Sequence, residues 1–498
     1  MKNKYSIPEN WVWAKHEDIS VINPKSLDYD LNEDSDVSFL PMACVEEVSG
    51  CYNLKNIRKH KDVKKGYTSF VNGDLIFAKI TPCMENGKVA VLDNLVNGVG
   101  YGSTEFHVSR LHSSIDKKYL FFFVIQTAFR KEAKRNMTGS AGQLRVPTVF
   151  FKSVLIPIPP KPEQLSIVAK IEQLFSELDN GIACLKKAQE QLKVYRQAVL
   201  KQAFEGELTK LWREQQANLP SAQDLLDTIK ADREQAAKNQ GKKLKPVTPL
   251  AKVELDELTE LPEGWRWVRL GDIARKIQIG PFGSQLHYDD YTENGVPLIN
   301  PKHIKEQKLI PRVRISIDKA NSLPQYFLEE NDIIIGRRGE MGRTAPVLKA
   351  QAGWFCGTGS LYIRLGQNFF AKLYSLILSE RRIVDYLEKK SRGTTMANLN
   401  SQIINSLPIQ ILSFQEQEQI VQEIETRLSV CDNMEATIRE SLEKAEALRQ
   451  SILKKAFEGK LLSEEELTAT RNDPDWEPAE KLLERIRAEK KQSKKHPH

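Results

Sequence analysis

One short stretch of this chain occurs twice, almost unchanged. Residues 196–206 read RQAVLKQAFEG, and residues 449–459 read RQSILKKAFEG. Upstream of each copy, PENWVW at 8–13 returns as PEGWRW at 262–267. A repeat of about half the chain length indicates a duplicated unit, because solenoid repeats are only about 20–50 residues long. Two similar units usually lie about a pseudo-two-fold axis, a symmetry that suits duplex DNA.

The repeated stretch ends a long apolar pattern that predicts a helix, over about 162–204 and again over 415–457. Steps alternating between three and four residues over about five heptads favour a coiled coil over a shorter surface helix. The first seam comprises Val168, Ile171, Phe175, Leu178, Ile182, Leu185, Gln189, Leu192, Arg196, Val199 and Ala203; the second comprises Val421, Ile424, Leu428, Cys431, Glu435, Ile438, Leu442, Ala445, Arg449, Ile452 and Ala456. We expect antiparallel pairing within the chain, with pairing between two chains as the alternative.

Composition limits the class of protein. A length of 498 residues suggests three to four domains, and a formal charge of +7 fits a protein that holds DNA over a limited face. The six cysteines form neither a CxxC pair nor a zinc-spaced set, so reduced thiols are expected. The strongly apolar run at 119–125 is far shorter than the ~20 residues of a membrane span, and the polar N-terminus predicts no signal peptide. We therefore expect a cytoplasmic protein.

The predicted fold class is α+β. Two similar mixed α/β domains are separated by two long helices, which form an antiparallel coiled coil. Short strands punctuated by Gly, Pro and Asn predict the mixed domains, each with one helix-like stretch, at 118–135 and 371–390. The predicted segments are a first domain at 1–160, a long helix at 161–215, a short helix and linker at 216–260, a second domain at 261–413, a second long helix at 414–462, and a short helix with a basic tail at 463–498.

Motifs that could carry catalysis fail in detail. The run from Gly336 to Thr344 follows a predicted strand, but its glycine spacing is one residue too long for a phosphate-binding loop, and Arg343 replaces the lysine. Residues 355–359 resemble an S-adenosylmethionine loop but precede a strand and not a helix. No nucleophile–base pair or HExxH motif is present in the sequence. We therefore expect a reader of DNA and not a catalyst, with no metal site.

Basic residues at strand ends are one set of candidate DNA contacts, because such side chains suit phosphate or base edges. The members of this set are Lys79 and Lys88 in the first repeat, and Arg337, Arg338 and Arg343 in the second.

Polar loops are the other set. Loops at 138–145 and 392–400 each follow a basic helix at matching places in the two repeats. Glycine admits a phosphate closely, while Gln, Asn and Arg can pair with base edges. Their different residues predict different target sequences. The candidates are Ser140, Gln143 and Arg145 in the first loop, Arg392, Thr394, Thr395 and Asn398 in the second, and Ser284 and Gln285 in a further loop of the second repeat.

Together these features resemble the specificity subunit of type I restriction–modification systems. The resemblance rests on the Pro-Glu-x-Trp-x-Trp entries, Asp-Ile at Asp18 and Asp272, the QEQEQIV run at 415–421 and the run at 449–461, and it covers essentially the whole chain. Weaker copies of the last two runs lie at 162–168 and 196–208. One departure is Asn10 before Trp11, where the family usually has glycine, and the loop at 80–84 is also unusual.

The resemblance implies that each globular unit is a target recognition domain for one half of a split, asymmetric DNA site. The helices would be the spacer, on which two modification subunits dock, and restriction subunits would join them. S-adenosylmethionine, ATP and magnesium are expected on those partners and none on this chain. Two other readings stay open at this stage: an enzyme with a disguised centre, and a coiled-coil scaffold that binds proteins without recognising DNA.

Overall fold

The computed structural model describes residues 6–25, 31–140, 142–239, 249–282, 285–337, 341–391 and 398–495. The chain forms two compact units. The first combines residues 1–187 with 438–498, and the second is the continuous segment 188–437. Both unit boundaries fall inside long helices. Each unit therefore contains one mixed domain together with parts of both long helices.

Short strands dominate the first mixed domain. Its strands are β1 (Val12–Lys15), β2 (Ser20–Ile22), β3 (Asp36–Leu40), β4 (Ile57–Lys59), β5 (Thr68–Val71), β6 (Leu75–Ala78), β7 (Val89–Val91), β8 (Val99–Gly102), β9 (Phe106–Leu111) and β10 (Leu155–Ile158). The helices up to the end of the first long one are α1 (His16–Ile19), α2 (His60–Val63), α3 (Lys117–Val124), α4 (Thr127–Arg135), α5 (Thr148–Ser153) and α6 (Lys161–Phe204).

After a helical connection, the remainder of the chain repeats the beginning and the end of this order, with additional short strands between them. The connecting helices are α7 (Lys210–Glu214), α8 (Ala222–Asn239) and α9 (Lys252–Asp256). The strands that follow are β11 (Arg266–Arg269), β12 (Lys276–Ile279), β13 (Tyr291–Thr292), β14 (Val296–Ile299), β15 (Ile304–Lys305), β16 (Lys308–Leu309), β17 (Val313–Ile315), β18 (Asp332–Gly336), β19 (Thr344–Pro346), β20 (Phe355–Cys356), β21 (Ser360–Arg364) and β22 (Pro408–Ile411). The helices are α10 (Leu270–Ile273), α11 (Ile317–Ser322), α12 (Ala371–Leu378), α13 (Arg381–Ser391), α14 (Ser401–Ser406), α15 (Phe414–Phe457), α16 (Glu464–Arg471) and α17 (Ala479–Lys495).

The two mixed domains share the topology of one sheet. A four-stranded antiparallel sheet has the order β2-β9-β6-β7 in the first and β12-β21-β18-β19 in the second. A second four-stranded sheet in each domain contains one parallel pair, β3 with β8 and β14 with β20. The strand order of the antiparallel sheet thus confirms the internal repeat predicted from the sequence, whereas the parallel pair is central in the second sheet of the first domain and lies at one end of that sheet in the second domain.

A buried ion pair fixes each antiparallel sheet. Arg110 donates from Nε and Nη2 to the two carboxylate oxygens of Asp74, at 2.9 and 2.8 Å. Arg364 makes the same two bonds to Asp332, at 2.7 and 2.8 Å. Both carboxylates are fully buried and also accept a backbone N–H. Such planar two-point pairing sets geometry as well as energy, so both sheets are held in the same register.

The helix-like stretch predicted at 118–135, and again at 371–390, is not a single helix. Each stretch forms two, α3 with α4 and α12 with α13. In the first, the chain leaves helical geometry at Gln126, where φ is −56° and ψ is 135°. The side chain of Gln126 donates to the carbonyl of Phe123 and helps to close the earlier helix. The break turns the second helix, which carries the basic residues, away from the direction of the first.

The long helices α6 and α15 meet within the first unit with opposite directions. The first turns of α6, at Ile167, Ile171 and Phe175, share one hydrophobic core with the last turns of α15, at Ile452 and Ala456. Arg449 donates to the carboxylate of Asp179, and its guanidinium lies 4.6 Å from the centre of the Phe175 ring. The beginning of one helix therefore packs on the end of the other.

Within the second unit the same helices meet at their other ends. Ala203 and Phe204, which end α6, belong to the core that contains Ile420 and Ile424 from the start of α15. Arg196 donates to Asp432 at 2.6 Å and to Glu435 at 3.0 Å. Every predicted seam residue is buried or half-buried. The antiparallel coiled coil within one chain is confirmed, and three of its four polar seam residues, Arg196, Glu435 and Arg449, form ion pairs.

The duplicated entry motifs contact the ends of the long helices. Trp11 donates its indole N–H to Glu163 of α6 at 2.8 Å, and Trp265 donates in the same way to Glu416 of α15 at 2.8 Å. Asn10, at the position where the sequence departs from its repeat, adds a second bond to Glu163 at 2.9 Å. Burial raises the pKa of Glu163, while these two donors oppose that rise. The entry motifs thus fix each mixed domain to a long helix.

The glycine that follows each long helix packs against the proline of an entry motif. Gly459 has a φ of +67°, and a Cβ there would lie 2.3 Å from Cγ of Pro8. Gly206 has a φ of +74°, and a Cβ would lie 2.4 Å from Cγ of Pro262. No larger residue fits either place without a shift. The recurrence of the Ala-Phe-Glu-Gly stretch therefore has a packing reason.

Within the described residues, no helix is long and apolar enough to cross a membrane.

Candidate nucleic-acid interface

The predicted contact loop of the first unit lies against a strand end. β6 ends at Ala78 and β9 begins at Phe106, at the same edge of the antiparallel sheet. Beyond this edge the N–H of Lys79 donates to the carbonyl of Glu105 at 2.9 Å. The N–H of Val146 then donates to the carbonyl of Lys79 at 2.8 Å. The loop that follows α4 is thereby joined to the end of the central strand.

The second unit repeats this arrangement bond for bond. Gly336 pairs with Ser360 where β18 ends and β21 begins. The N–H of Arg337 donates to the carbonyl of Gly359 at 2.9 Å, and the N–H of Leu399 donates to the carbonyl of Arg337 at 3.1 Å. Two candidate segments that are far apart in sequence are therefore neighbours in both units. We call this junction of strand end and loop the sheet edge of each unit: residues 79, 105 and 145–146 in the first, and residues 337, 359 and 398–399 in the second.

The sheet edge of the first unit carries an ion pair. Arg145 donates from Nε and Nη2 to the two carboxylate oxygens of Glu105, each at 2.9 Å, and from Nη1 to the carbonyl of Gln143 at 3.2 Å. The hydrogen bond from Arg145 is the main cause that holds the pKa of Glu105 below its usual range. Ser140 and Gln143 are exposed on the same loop. The guanidinium of Arg145 is held in one orientation, while its side chain stays 41% exposed.

The sheet edge of the second unit carries an arginine–amide pair in the same place. Arg337 donates from Nε to Oδ1 of Asn398 at 3.0 Å and to the carbonyl of Leu399 at 3.2 Å. Arg337 is only 4% exposed, whereas Asn398 is half-buried. Arg337 therefore supports the loop, and the amide of Asn398 is the more accessible of the two. By alignment of the repeats, Asn398 stands where the first unit has Arg145.

Three other candidates have side chains that hold the frame. Lys88 donates to the carbonyl of Met42 at 3.2 Å, and Arg343 donates to the carbonyl of Pro301 at 3.4 Å. Gln285 accepts from the backbone N–H of Phe282 at 3.3 Å and from the hydroxyl of Tyr326 at 2.9 Å. Each of these three side chains therefore has a structural function that the sequence did not indicate. Their contact with DNA stays a prediction.

Five sequence-predicted candidates lie outside the described residues. They are Ser284, Arg338, Arg392, Thr394 and Thr395.

Sequence reasoning missed the remaining wall of the first sheet edge. A surface cavity of about 280 Å³ opens beside Lys79 and is lined by polar residues from three separate segments, among them Asn23, Tyr67, Ser69 and Thr104. Asn23 holds the wall through a bond from the N–H of Val108 to its Oδ1 at 2.9 Å. Glu105, the partner of Arg145, was also missed. The one sequence signal for Glu105 is its position directly before β9, in the short connection from β8.

The described histidines of the first unit and the acidic side chains take structural positions. Across the described ranges, no cluster of three or more His, Cys, Asp and Glu side chains could hold a metal ion. The two buried histidines of the first unit are held by backbone carbonyls: His16 lies 3.1 Å from that of Phe151, and His107 lies 2.8 Å from that of Val146. Burial is the main cause that lowers the pKa of His16 to about 3 and that of His107 to about 4. Both are therefore neutral core residues near neutral pH.

The family of the chain follows from its duplicated architecture and from comparison with known proteins. The type I restriction modification DNA specificity domain matches this chain twice, over residues 8–191 and 262–444. The chain belongs to that family. Each match covers one mixed domain and most of the long helix that follows it.

Individual relatives agree with this assignment. The chain is 28% identical to the type I restriction enzyme EcoEI specificity subunit of Escherichia coli, over 90% of this chain and 83% of that protein. It is 34% identical to the EcoAI specificity subunit of Escherichia coli, over 66% of this chain and 62% of that protein. A chain solved in a study of assembly and conformational transition of the type I R-M system has the same fold, with a TM-score of 0.65 and 19% identity over 92% of this chain and 100% of that one.

Proposed function

We propose that this chain is the DNA specificity subunit of a type I restriction–modification complex, in which each unit reads one half of a bipartite, asymmetric site. One observation carries the proposal. The two sheet edges have the same backbone hydrogen bonds but present different side chains, Arg145 with Glu105 in one and Asn398 with Arg337 in the other. Arginine pairs best with guanine and asparagine with adenine, so a shared frame with these two side chains would read two different sequences.

The long helices are proposed to set the distance between the half-sites. Each has 44 residues and is therefore about 66 Å long at 1.5 Å per residue. Ion pairs along the seam fix the register of the two helices, since Arg449 pairs with Asp179 and Arg196 pairs with Asp432. A matched pair of heptad insertions, one in each helix, keeps this pairing. It should lengthen the unread spacer of the target and leave both half-sites unchanged.

Modification subunits are proposed to dock on the outer faces of the helices. Tyr195 of α6 and Leu448 of α15 occupy equivalent positions in the repeat, and both are exposed, at 47% and 51%. Two equivalent apolar side chains on solvent faces fit two copies of one partner. Tyr195→Ser should remove one modification subunit and Leu448→Ser the other, as measured by native mass spectrometry of the assembled complex. Val149→Ser is the control, because Val149 is 78% exposed but lies on a mixed domain.

The chain itself is proposed to be non-catalytic, with S-adenosylmethionine on the modification subunits and ATP with magnesium on the restriction subunits. Isothermal titration of the purified chain with S-adenosylmethionine should give no heat of binding. Binding by the chain alone would instead favour an enzyme.

The decisive experiment for the proposed function is methylome sequencing of a host that carries this chain with its modification partner. We expect one bipartite motif with N6-methyladenine in both half-sites. An undivided motif, or no methylation that depends on this chain, would contradict the proposal.

A further inference from the structure

One largely exposed aromatic side chain, Phe282, lies on the loop that follows β12 in the second unit. Phe282 is 60% exposed, and among the described residues it is the only phenylalanine classed as exposed. The loop that carries it begins directly after β12, which ends at Ile279 opposite Leu361. Leaving a phenyl ring in water forgoes up to about 2 kcal/mol of burial.

The loop is built to hold Phe282 in place. Before it, the N–H of Gly280 donates to the carbonyl of Ser360 at 3.0 Å, and a Cβ on Gly280 would lie 2.0 Å from the carbonyl oxygen of Gly357. After it, Gln285 returns to accept from the N–H of Phe282, while the hydroxyl of Tyr326 fixes the same amide oxygen. The next residue, Leu286, is 6% exposed in a hydrophobic core. Hydrogen bonds therefore hold the loop on both sides of Phe282, whose side chain faces solvent.

The loop leaves the sheet where the candidate DNA contacts lie. Ser360, which accepts from Gly280, also pairs with Gly336. Gly336 precedes Arg337, whose side chain reaches Asn398. The loop of Phe282 and the segment of Arg337, which holds Asn398, thus leave the β12-β21-β18-β19 sheet at the same end. Strand register aligns Val21 with Lys276, so the sequence counterpart of Phe282 in the first unit is Leu27, which is not aromatic and lies outside the described residues.

We propose that Phe282 is an apolar wedge that inserts between stacked base pairs within or beside the half-site read by the second unit. The inference rests on the proposed function and adds to it a named residue and a local deformation of the duplex. Proteins that insert a phenylalanine between base steps unstack them partly and kink the DNA, at a cost that is lowest at flexible pyrimidine–purine steps. Phe282 would therefore add a preference for a deformable step in one half-site only.

The test uses the full chain assembled with its modification subunits. The probe is a duplex that carries the mapped bipartite site, with 2-aminopurine placed in turn at positions of each half-site and its flanks. 2-Aminopurine fluoresces more strongly when it is unstacked. We expect the wild-type complex to raise the fluorescence at adjacent positions of one half-site, and Phe282→Ala to abolish that rise and weaken binding about tenfold. Phe282→Leu, which keeps an apolar side chain, should retain part of both effects.

A matched control comes from the same sheet. Leu348 is 59% exposed and follows β19, at the opposite end of the hairpin from Gly336. Leu348→Ala should leave both fluorescence and affinity unchanged.

The outcomes are separable. If the wild-type complex binds the duplex but no position brightens, or if Phe282→Ala brightens as the wild type does, the wedge is wrong and the proposed function stands. Loss of modification subunits from Phe282→Ala, with unchanged DNA fluorescence, would also overturn the wedge and assign the ring to a protein contact. If the wild-type complex shows no preference for the mapped duplex, both proposals fail.

Discussion

The sheet edges of the two units share two backbone hydrogen bonds but carry different side-chain pairs. In the first, the arginine of the loop is accessible and its partner is the carboxylate of Glu105. In the second, the arginine is the buried member, on the strand end, and the loop presents the amide of Asn398. The comparison teaches that the same backbone hydrogen bonds can carry different side-chain pairs. The buried pairs Asp74–Arg110 and Asp332–Arg364 keep that frame constant.

The largest expected effect tests whether the frame is shared. Arg110→Met and Arg364→Met each leave a buried carboxylate without its guanidinium, which should cost about 3 kcal/mol of folding free energy. Hydrogen exchange followed by mass spectrometry should show the loss in the first unit for one variant and in the second for the other. A loss in only one of the two variants would break the equivalence of the frames.

The second prediction concerns the chemistry that differs. Arg145→Ala and Asn398→Ala should each weaken binding of the mapped duplex by about 1–3 kcal/mol, and each should relax base preference in one half-site only. Competition binding with single-base variants of the target measures both effects. Lys131→Ala, an exposed cation on α4, is the control for general charge and should weaken all sequences alike. Relaxation in both half-sites by one variant would contradict separate reading.

The third prediction sharpens the comparison through pH. The folded pKa values of His16 and His107 lie below the ordinary 6.5, so the unfolded chain binds more protons as the pH falls through that value. Their stabilisation is therefore complete above about pH 6.5 and is lost on acidification, by about 1 kcal/mol for each histidine at pH 5.5. The second unit has leucine at both aligned positions, 270 and 361. His303 also has a pKa lowered by burial there.

Urea unfolding at pH 7 and pH 5.5, monitored by hydrogen exchange, measures how much stability each unit loses on acidification. The double change His16→Leu and His107→Leu should flatten the pH dependence of the first unit. An unchanged dependence would show that other groups carry it.

The smallest expected effect separates the two ion pairs of the coiled coil. Arg449→Ala should cost more than Arg196→Ala, because Arg449 also lies over the Phe175 ring and its side chain is less exposed. The pairing of a partly exposed arginine contributes at most about 1 kcal/mol, and the ring contact adds about 0.5–1 kcal/mol. Thermal unfolding of both variants shows which loses more stability. Equal losses would mean that the contact of Arg449 with the Phe175 ring contributes nothing.

The helices and the repeat could be predicted from the sequence because their signals are periodic and duplicated. The seam from Val168 to Ala203 contains many apolar positions, so its periodic pattern can be recognised even though some positions are polar. The sheet edge was predictable only in part. Lys79 and Arg145, like Arg337 and Asn398, were identified singly, but their proximity depends on strand pairing across some 60 residues, which no local pattern encodes. Gln285 was predicted to contact DNA, whereas a hydrogen bond to Tyr326 gives it a supporting role that arises only from tertiary packing.

The measurement that tests the central claim most directly is methylome sequencing of a host in which Arg145→Asn, matching the residue of the second unit, replaces the wild-type chain. The account predicts a bipartite N6-methyladenine motif in which bases of one half-site change while the other half-site and the spacer length stay the same. A motif that changes in both halves, or one that is identical to the wild-type motif at every position, would contradict it.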